Sequence, residues 1–472
     1  MKIKIIFFIL FISTICFSDT ISLSLLEAIK IGLKNNLDIL VSEYNIKIQE
    51  NNIQKREADF SPYFSTNISY REYENQTGEY KNINITNTIS KKFESGNEIS
   101  LNHQLNKLEN SSVNYTSSLS LNYNMPILKD RGSKITKTFL YIEKNNKEIS
   151  EYELKNKIRG TIKEILKNYW EIIYNKELIN VKKQTLKLAE ELYNNNTMKV
   201  KLGVLAPIEI TSAAAGVAAQ QEGIIIAENN LISSQNNFIT KLNIQGDITK
   251  YNITLDLTDT PQINTEIPDV IESYKYALAN NPDYLKLKKD IENSNLKIEY
   301  YKNQLLPEID LVATLSANGI NQNISKTYNS LFEPDYPDYK ITLSFTMPIG
   351  KKREKAEYNN EELNKLKLIA QIKNFENELF NNILNSVKEI EATIKRVEAA
   401  NKAVKLAEEN LAGEMKRYEL QQTTTYDILK FQEALDTARS KLLKAIIDNQ
   451  NAVIEYSAIT GKIFDKFNII IK

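Results

Sequence analysis

The chain has 472 residues, 60 Lys+Arg against 60 Asp+Glu, one cysteine and one histidine. A formal charge of zero argues against nucleic acid or another polyanion as partner, and one Cys with one His gives no disulfide and no cluster to hold a transition metal. Ser-His-Asp or Cys-His catalysis would need His103 itself, which has no acid or nucleophile in a recognisable motif near it and reads as a surface histidine.

The N-terminus carries Lys2 and Lys4, then an apolar run from Ile5 to Ile15, then Cys16-Phe17-Ser18 before Asp19. This is the pattern of a secretory signal peptide over residues 1–18. The run is too short for a spanning helix, which needs about 20 residues. An acylated Cys16 is the alternative, but Ile15 stands where a lipobox usually has Gly, Ala or Ser.

An internal repeat organises the remainder. SLLEAIKIGLKNNLDI at Ser24 to Ile39 returns as DVIESYKYALANNPDY at Asp269 to Tyr284, with Glu27 on Glu272 and Asn35-Asn36 on Asn280-Asn281. The same shift carries Phe60-Ser61-Pro62 onto Leu305-Leu306-Pro307. Each copy is predicted to be helical, from about Leu37 to Phe60 and from about Pro282 to Leu306, until a proline ends it.

After each proline the period becomes two. Phe64, Ile68 and Tyr70 alternate with Ser65, Asn67 and Ser69, and Ile309, Leu311, Ala313 and Leu315 alternate in the second copy. A second strand closes each section, carrying Leu119, Leu121, Tyr123 and Met125 before Pro126, and Ile341, Leu343, Phe345 and Met347 before Pro348. The first section is longer and holds an added hairpin, Ile83 to Phe93 and Ile99 to Leu105, joined through Ser95-Gly96-Asn97. A soluble sandwich with one wet face accounts for such strands; a membrane barrel accounts also for their Ser, Asn and Thr face and the signal peptide.

Gly 13 and Pro 10 are few for the length, and long helices follow each strand section. Each runs for about 70 residues, roughly 100 Å. One carries a seven-residue ladder of Ile158, Ile165, Ile172, Ile179, Leu186, Tyr193 and Val200; the other carries Ile383, Ile390, Val397, Val404, Leu411 and Tyr418. Such spacing marks a coiled-coil seam. The helices turn at Lys201 to Pro207 and at Glu419 to Thr425 and return over Pro207 to Leu242 and Tyr426 to Ile459. Four helical columns and four main strands cannot close a channel alone, so the chain is expected to oligomerise.

In combination these features resemble the TolC family over nearly the whole mature chain. The carriers are SLLEAIKIGLKNN, the strand-to-helix junctions SLNYNMPIL at Ser120 to Leu128 and TLSFTMPIG at Thr342 to Gly350, and both helical turns. The resemblance implies an α+β membrane protein built from two tandem repeats and assembled as a homotrimer. In it four strands per protomer would enter one transmembrane β-barrel, continued by a long α-helical coiled-coil barrel.

It further implies adaptor-docking tips at Leu202, Gly203, Val204, Leu205 and Ala206 and at Leu420, Gln421, Gln422 and Thr423. Glu209, Tyr418 and Asp427 match positions of the family's tunnel closure and acidic ring. Gln421 stands where glycine is common, Thr423 where a linking arginine would be, and Lys430 where a second acid would be. Glu209 and Asp427 can equally complement a helix dipole from the first turn.

The expected organisation is a signal peptide (1–18), first helices (19–61), strands with an added hairpin (62–126), a helical hairpin (127–246), a linker (247–268), then first helices (269–306), strands (307–348), a helical hairpin (349–460) and a tail (461–472). The expected function is a passive exit duct in the outer membrane, extending into the periplasm, with no chemistry and no cofactor or metal. Its partners would be outer-membrane lipid, a periplasmic adaptor (membrane fusion) protein and an inner-membrane RND or ABC transporter, in an efflux pump or type I secretion system. The rival is a trimeric coiled-coil envelope tether or adhesin, which has no need of strands with a polar inner face.

Overall fold

The computed structural model describes residues 20–75, 78–109, 114–244, 254–333, 337–467 and 469. The signal-peptide reading, with Cys16, lies outside them. In chain order the elements are β1 (Thr20–Leu23), α1 (Leu25–Asn35), α2 (Leu37–Ala58), β2 (Tyr63–Asn75), β3 (Gly78–Lys92), β4 (Glu98–Glu109), β5 (Tyr115–Pro126), the one-turn α3 (Ser133–Thr136), α4 (Thr138–Lys201) and α5 (Ile208–Leu242). Then follow β6 (Thr254–Leu257), α6 (Val270–Asn280), α7 (Pro282–Gln304), β7 (Glu308–Asn321), α8 (Ile324–Phe332), β8 (Asp338–Thr346), α9 (Lys352–Glu419), α10 (Thr425–Thr460) and the one-turn α11 (Ile463–Lys466).

The elements form two compact units, one of Met1–Leu40, Lys155–Asn281 and Glu378–Lys472, the other of Val41–Leu154 and Pro282–Asn377. In the first unit, α1 starts on a capping box. Ser24 Oγ accepts from the Glu27 amide and the Glu27 carboxylate accepts from the Ser24 amide, so two otherwise orphaned donors are satisfied at once. Asp269, at the corresponding place before α6, accepts from the Glu272 amide at 2.7 Å. The core here is the packed seam itself, with Ile162, Ile165, Leu166, Ile172, Phe238, Leu242, Ile383 and Ile390 sealed from solvent.

The seam departs from the expected ladder near one end. Ile158 to Ile179 are buried, but Leu186, Tyr193 and Val200 are only half-buried, and Thr185, Ala189, Leu192 and Asn196 point inward instead. There the inward stripe sits one residue earlier than the ladder, because α4 packs on α9 and α10 through Leu192 beside Leu411 and Ile428 and through Thr185, whose hydroxyl donates to Asp436.

The segment expected as a linker holds a short strand where it is described. Its β6 pairs in parallel with β1, from Thr20↔Thr254 to Leu23↔Leu257. Tyr169 fastens that pair to α4, its hydroxyl 2.6 Å from Asp259 Oδ2 and 3.1 Å from the Leu23 carbonyl, while the Leu25 amide donates to the same carboxylate oxygen. Tyr169 is fully buried, edge-on to Trp170 and Phe238. Four-residue strands that lack a second turn of alternation carry too little pattern to be read alone.

The second unit holds one antiparallel sheet in the order β2-β3-β4-β5-β7-β8. Its six strands are the four main strands and the two of the expected added hairpin, β3 and β4, which is hydrogen-bonded into the interior of the sheet between β2 and β5. Between β7 and β8, where only strand was expected, α8 lies against β5 and β7. Gly319 admits it: a Cβ there would stand 2.0 Å from the Thr327 carbonyl oxygen. His103 is consequently not an open surface residue. It is half-buried beside α8, its ring stacked on Tyr328, with Asn87 Nδ2 at 3.3 Å from Nδ1 and Ser117 Oγ at 3.1 Å from Nε2.

Candidate functional site

The sheet has two chemically opposite faces, because successive side chains along a strand point to opposite sides. One row crosses all six strands as Phe64, Ile89, Leu101, Leu121, Leu315 and Tyr339. Every member of this row is exposed, from Leu101 at 39% to Tyr339 at 74%. The next row is Ser65, Thr88, Asn102, Ser120, Ser316 and Asp338. On this polar face Ser120 and Ser316 hydroxyls lie 3.0 Å apart, and the Thr314 hydroxyl donates to Asn122 Oδ1 at 2.8 Å. An apolar ladder left open beside a polar one is the opposite of what a water-soluble sandwich needs, since its apolar face must be covered. Among the described residues no helix is long and apolar enough to cross a membrane.

The two helical turns lie in the other unit. In the first, Gly203 takes φ +75°, the Gly203 amide donates to the Val200 carbonyl at 2.9 Å and the Val204 amide to Lys199 at 2.8 Å, closing α4. Pro207 then precedes α5, whose first turn holds Glu209. In the second turn Gln421 takes φ +61°, and the Gln422 amide donates to the Arg417 carbonyl at 2.9 Å. Leu202, Val204 and Leu420 are exposed, at 77%, 45% and 68%. Leu205 instead packs on the buried cluster of Leu192, Leu411, Tyr418 and Ile428.

Asp427 caps α10. Its carboxylate accepts from the Thr424 amide at 3.1 Å, the Thr424 hydroxyl at 2.6 Å and the Thr423 hydroxyl at 3.0 Å. Those donors, the Thr424 hydroxyl foremost, hold its carboxyl below the usual aspartate range.

Tyr418 is buried, and burial raises its phenol above the ordinary value, with the Glu209 charge adding in the same direction. The Lys199 ammonium sits 4.6 Å from its ring centroid. The Tyr418 hydroxyl donates to Asn196 Oδ1 at 2.5 Å and lies 3.1 Å from Thr425 Oγ1. Asn196 Nδ2 completes the knot, donating to Thr425 Oγ1 at 2.8 Å and to the Glu209 carbonyl at 3.2 Å.

Asn196 therefore joins α4 to α9, α10 and the start of α5, and sequence reasoning missed it. The available signal was an amide three residues after ladder residue Tyr193, at a position that faces a coiled-coil partner. Among the described residues no group of three or more His, Cys, Asp or Glu could hold a metal ion.

The chain is similar to solved outer-membrane proteins of low sequence identity. It covers 93% of its length against the Vibrio cholerae outer membrane protein VceC, at 14% identity, TM-score 0.68 and 96% of that chain. The Campylobacter jejuni CmeC outer membrane channel gives 16% identity, TM-score 0.66, and 93% and 85% coverage of the two chains. The open state of the Neisseria gonorrhoeae MtrE outer membrane channel gives 16%, 0.66, 93% and 88%. No curated protein sequence matches. The family described as outer membrane efflux protein matches residues 28–243 and 273–462, most of the chain. With that match and this fold, the chain belongs to the outer membrane efflux protein family.

Proposed function

We propose that the chain is one protomer of a trimeric exit duct in the outer membrane, built from two tandem repeats and reaching into the periplasm. The observation that carries this reading is the two-faced sheet, whose exposed row from Phe64 to Tyr339 suits lipid and whose row from Ser65 to Asp338 suits a water-filled bore. The tether or adhesin has no use for that pairing of faces. In the proposed assembly the chain moves nothing by itself; an inner-membrane RND or ABC transporter supplies the energy.

The exposed Leu202, Val204 and Leu420 would dock a periplasmic adaptor (membrane fusion) protein. Glu209, Tyr418 and Asp427 would govern closure at the tips, with Thr423 serving as a donor to Asp427 in place of a linking arginine. Planar-bilayer recording tests the reading. The purified protein should conduct weakly, and a Tyr418→Phe, Asp427→Asn variant with loosened tips should conduct more. Silence from both proteins after verified insertion overturns it.

A further inference from the structure

We propose that β3 and β4 are full staves of the membrane barrel, so that three copies close eighteen strands rather than the twelve that four strands per copy would make. This rests on the trimeric membrane reading above. The hairpin occupies the interior of the sheet, and β2 reaches β5 only through it. At 15 and 12 residues, β3 and β4 exceed the roughly 9–11 residues that a tilted spanning strand needs. Ile89, Leu101 and Ile99 continue the exposed apolar face across these two strands, while Thr88 and Asn102 continue the polar one. Placed outside the membrane, the hairpin would leave that apolar face in water.

The edges complete the argument. Strands β2 and β8 are the two ends of the sheet, and a sheet edge is a row of unmatched donors and acceptors that another strand can fill. Six strands alternating in direction make β8 run opposite to β2, so β8 of one copy can pair antiparallel with β2 of the next. Both edges carry large exposed apolar side chains, Phe64 and Ile68 on one and Ile341 and Phe345 on the other, so the lipid-facing band runs on through each seam. With strands ~4.8 Å apart and tilted ~40°, eighteen staves give a backbone radius of about 18 Å, against about 12 Å for twelve.

Fluorescence quenching by brominated phosphatidylcholine tests this on the full chain in vesicles. Trp170 is the only native tryptophan and the parent protein supplies its background. Ile89→Trp on β3 and Leu101→Trp on β4 should be quenched as strongly as Leu121→Trp on β5. Quenching of Leu121→Trp with neither hairpin variant quenched overturns the proposal. Failure of all three to be quenched overturns the membrane reading on which it rests. If the hairpin variants do not assemble, an electron cryomicroscopy map of the native trimer decides the same point: eighteen strands support the proposal and twelve overturn it.

Discussion

Gly203 and Gln421 stand 218 residues apart and take the same left-handed backbone at the two helical turns, φ +75° and +61°. An L side chain in that conformation is strained by roughly 1–2 kcal/mol, which glycine escapes. Gln421→Gly should therefore stabilise its turn by roughly 0.5–1 kcal/mol once glycine's extra unfolded-state entropy is allowed for, and Gly203→Gln should destabilise the other by a similar amount. Amide hydrogen exchange across residues 416–428 and 198–210 reads both changes; equal exchange in each variant and the parent contradicts the assignment.

Replacing Asn196 by leucine keeps its bulk and removes every hydrogen bond it makes to Tyr418, Thr425 and the Glu209 carbonyl. The orphaned partners should cost about 1–3 kcal/mol. Exchange should accelerate at 207–212 and 424–428 together, since one amide joins both helix starts. Adding Tyr418→Phe should lose less than the sum of the two single changes, because the hydroxyl left unpaired by the first is gone. Full additivity means the two residues are uncoupled.

The Asp427 cap sets a pH dependence. Its folded-state pKa lies below the unfolded value, so its stabilising effect is fully present above about pH 4 and is lost as pH falls through the depressed folded value. Protection of the first turn of α10, corrected for intrinsic exchange, should be flat from pH 7 to about 4 and fall below that. In Asp427→Asn the pH-dependent part should be missing. A mid-range transition near pH 6 in the parent would assign the effect to another group.

Tyr169→Phe deletes only the hydroxyl between Asp259 and the Leu23 carbonyl. Asp259 keeps the Leu25 amide, so the expected loss is about 1–2 kcal/mol, confined to the β1 and β6 attachment. Faster exchange at 20–25 and 254–259, with α4 itself unchanged, is the expected signature. Exchange spreading through α4 would instead make Tyr169 a core-packing residue whose hydroxyl is incidental.

Gly319→Ala places a methyl against the Thr327 carbonyl, a backbone atom that cannot rotate away. The change should lift α8 from β7 and expose the His103 ring, now stacked on Tyr328. Modification of His103 by diethyl pyrocarbonate, followed by mass spectrometry, should rise in the variant. An unchanged rate would mean that α8 does not shield the ring.

Periodicity along the chain determined much of this protein unaided. The alternation at Leu119 to Met125, the ladder from Ile383 to Tyr418 and the breaks at Pro62, Gly203 and Pro307 are local signals, and β5, α9 and the ends of α2, α4 and α7 fall at those stretches. Such signals depend on which residues neighbour one another in sequence, so they survive without knowledge of the fold.

What only the tertiary structure decided involves partners far apart in the chain. The β1–β6 pair joins segments more than two hundred residues apart, the six-strand order makes the hairpin interior, α8 turns His103 inward, and Asn196 meets Tyr418 and Thr425 across three helices. A hydrogen bond or a sheet neighbour is fixed by where two groups meet in space. Tyr169 and Asn196 look like ordinary members of a helical pattern until the chain folds around them.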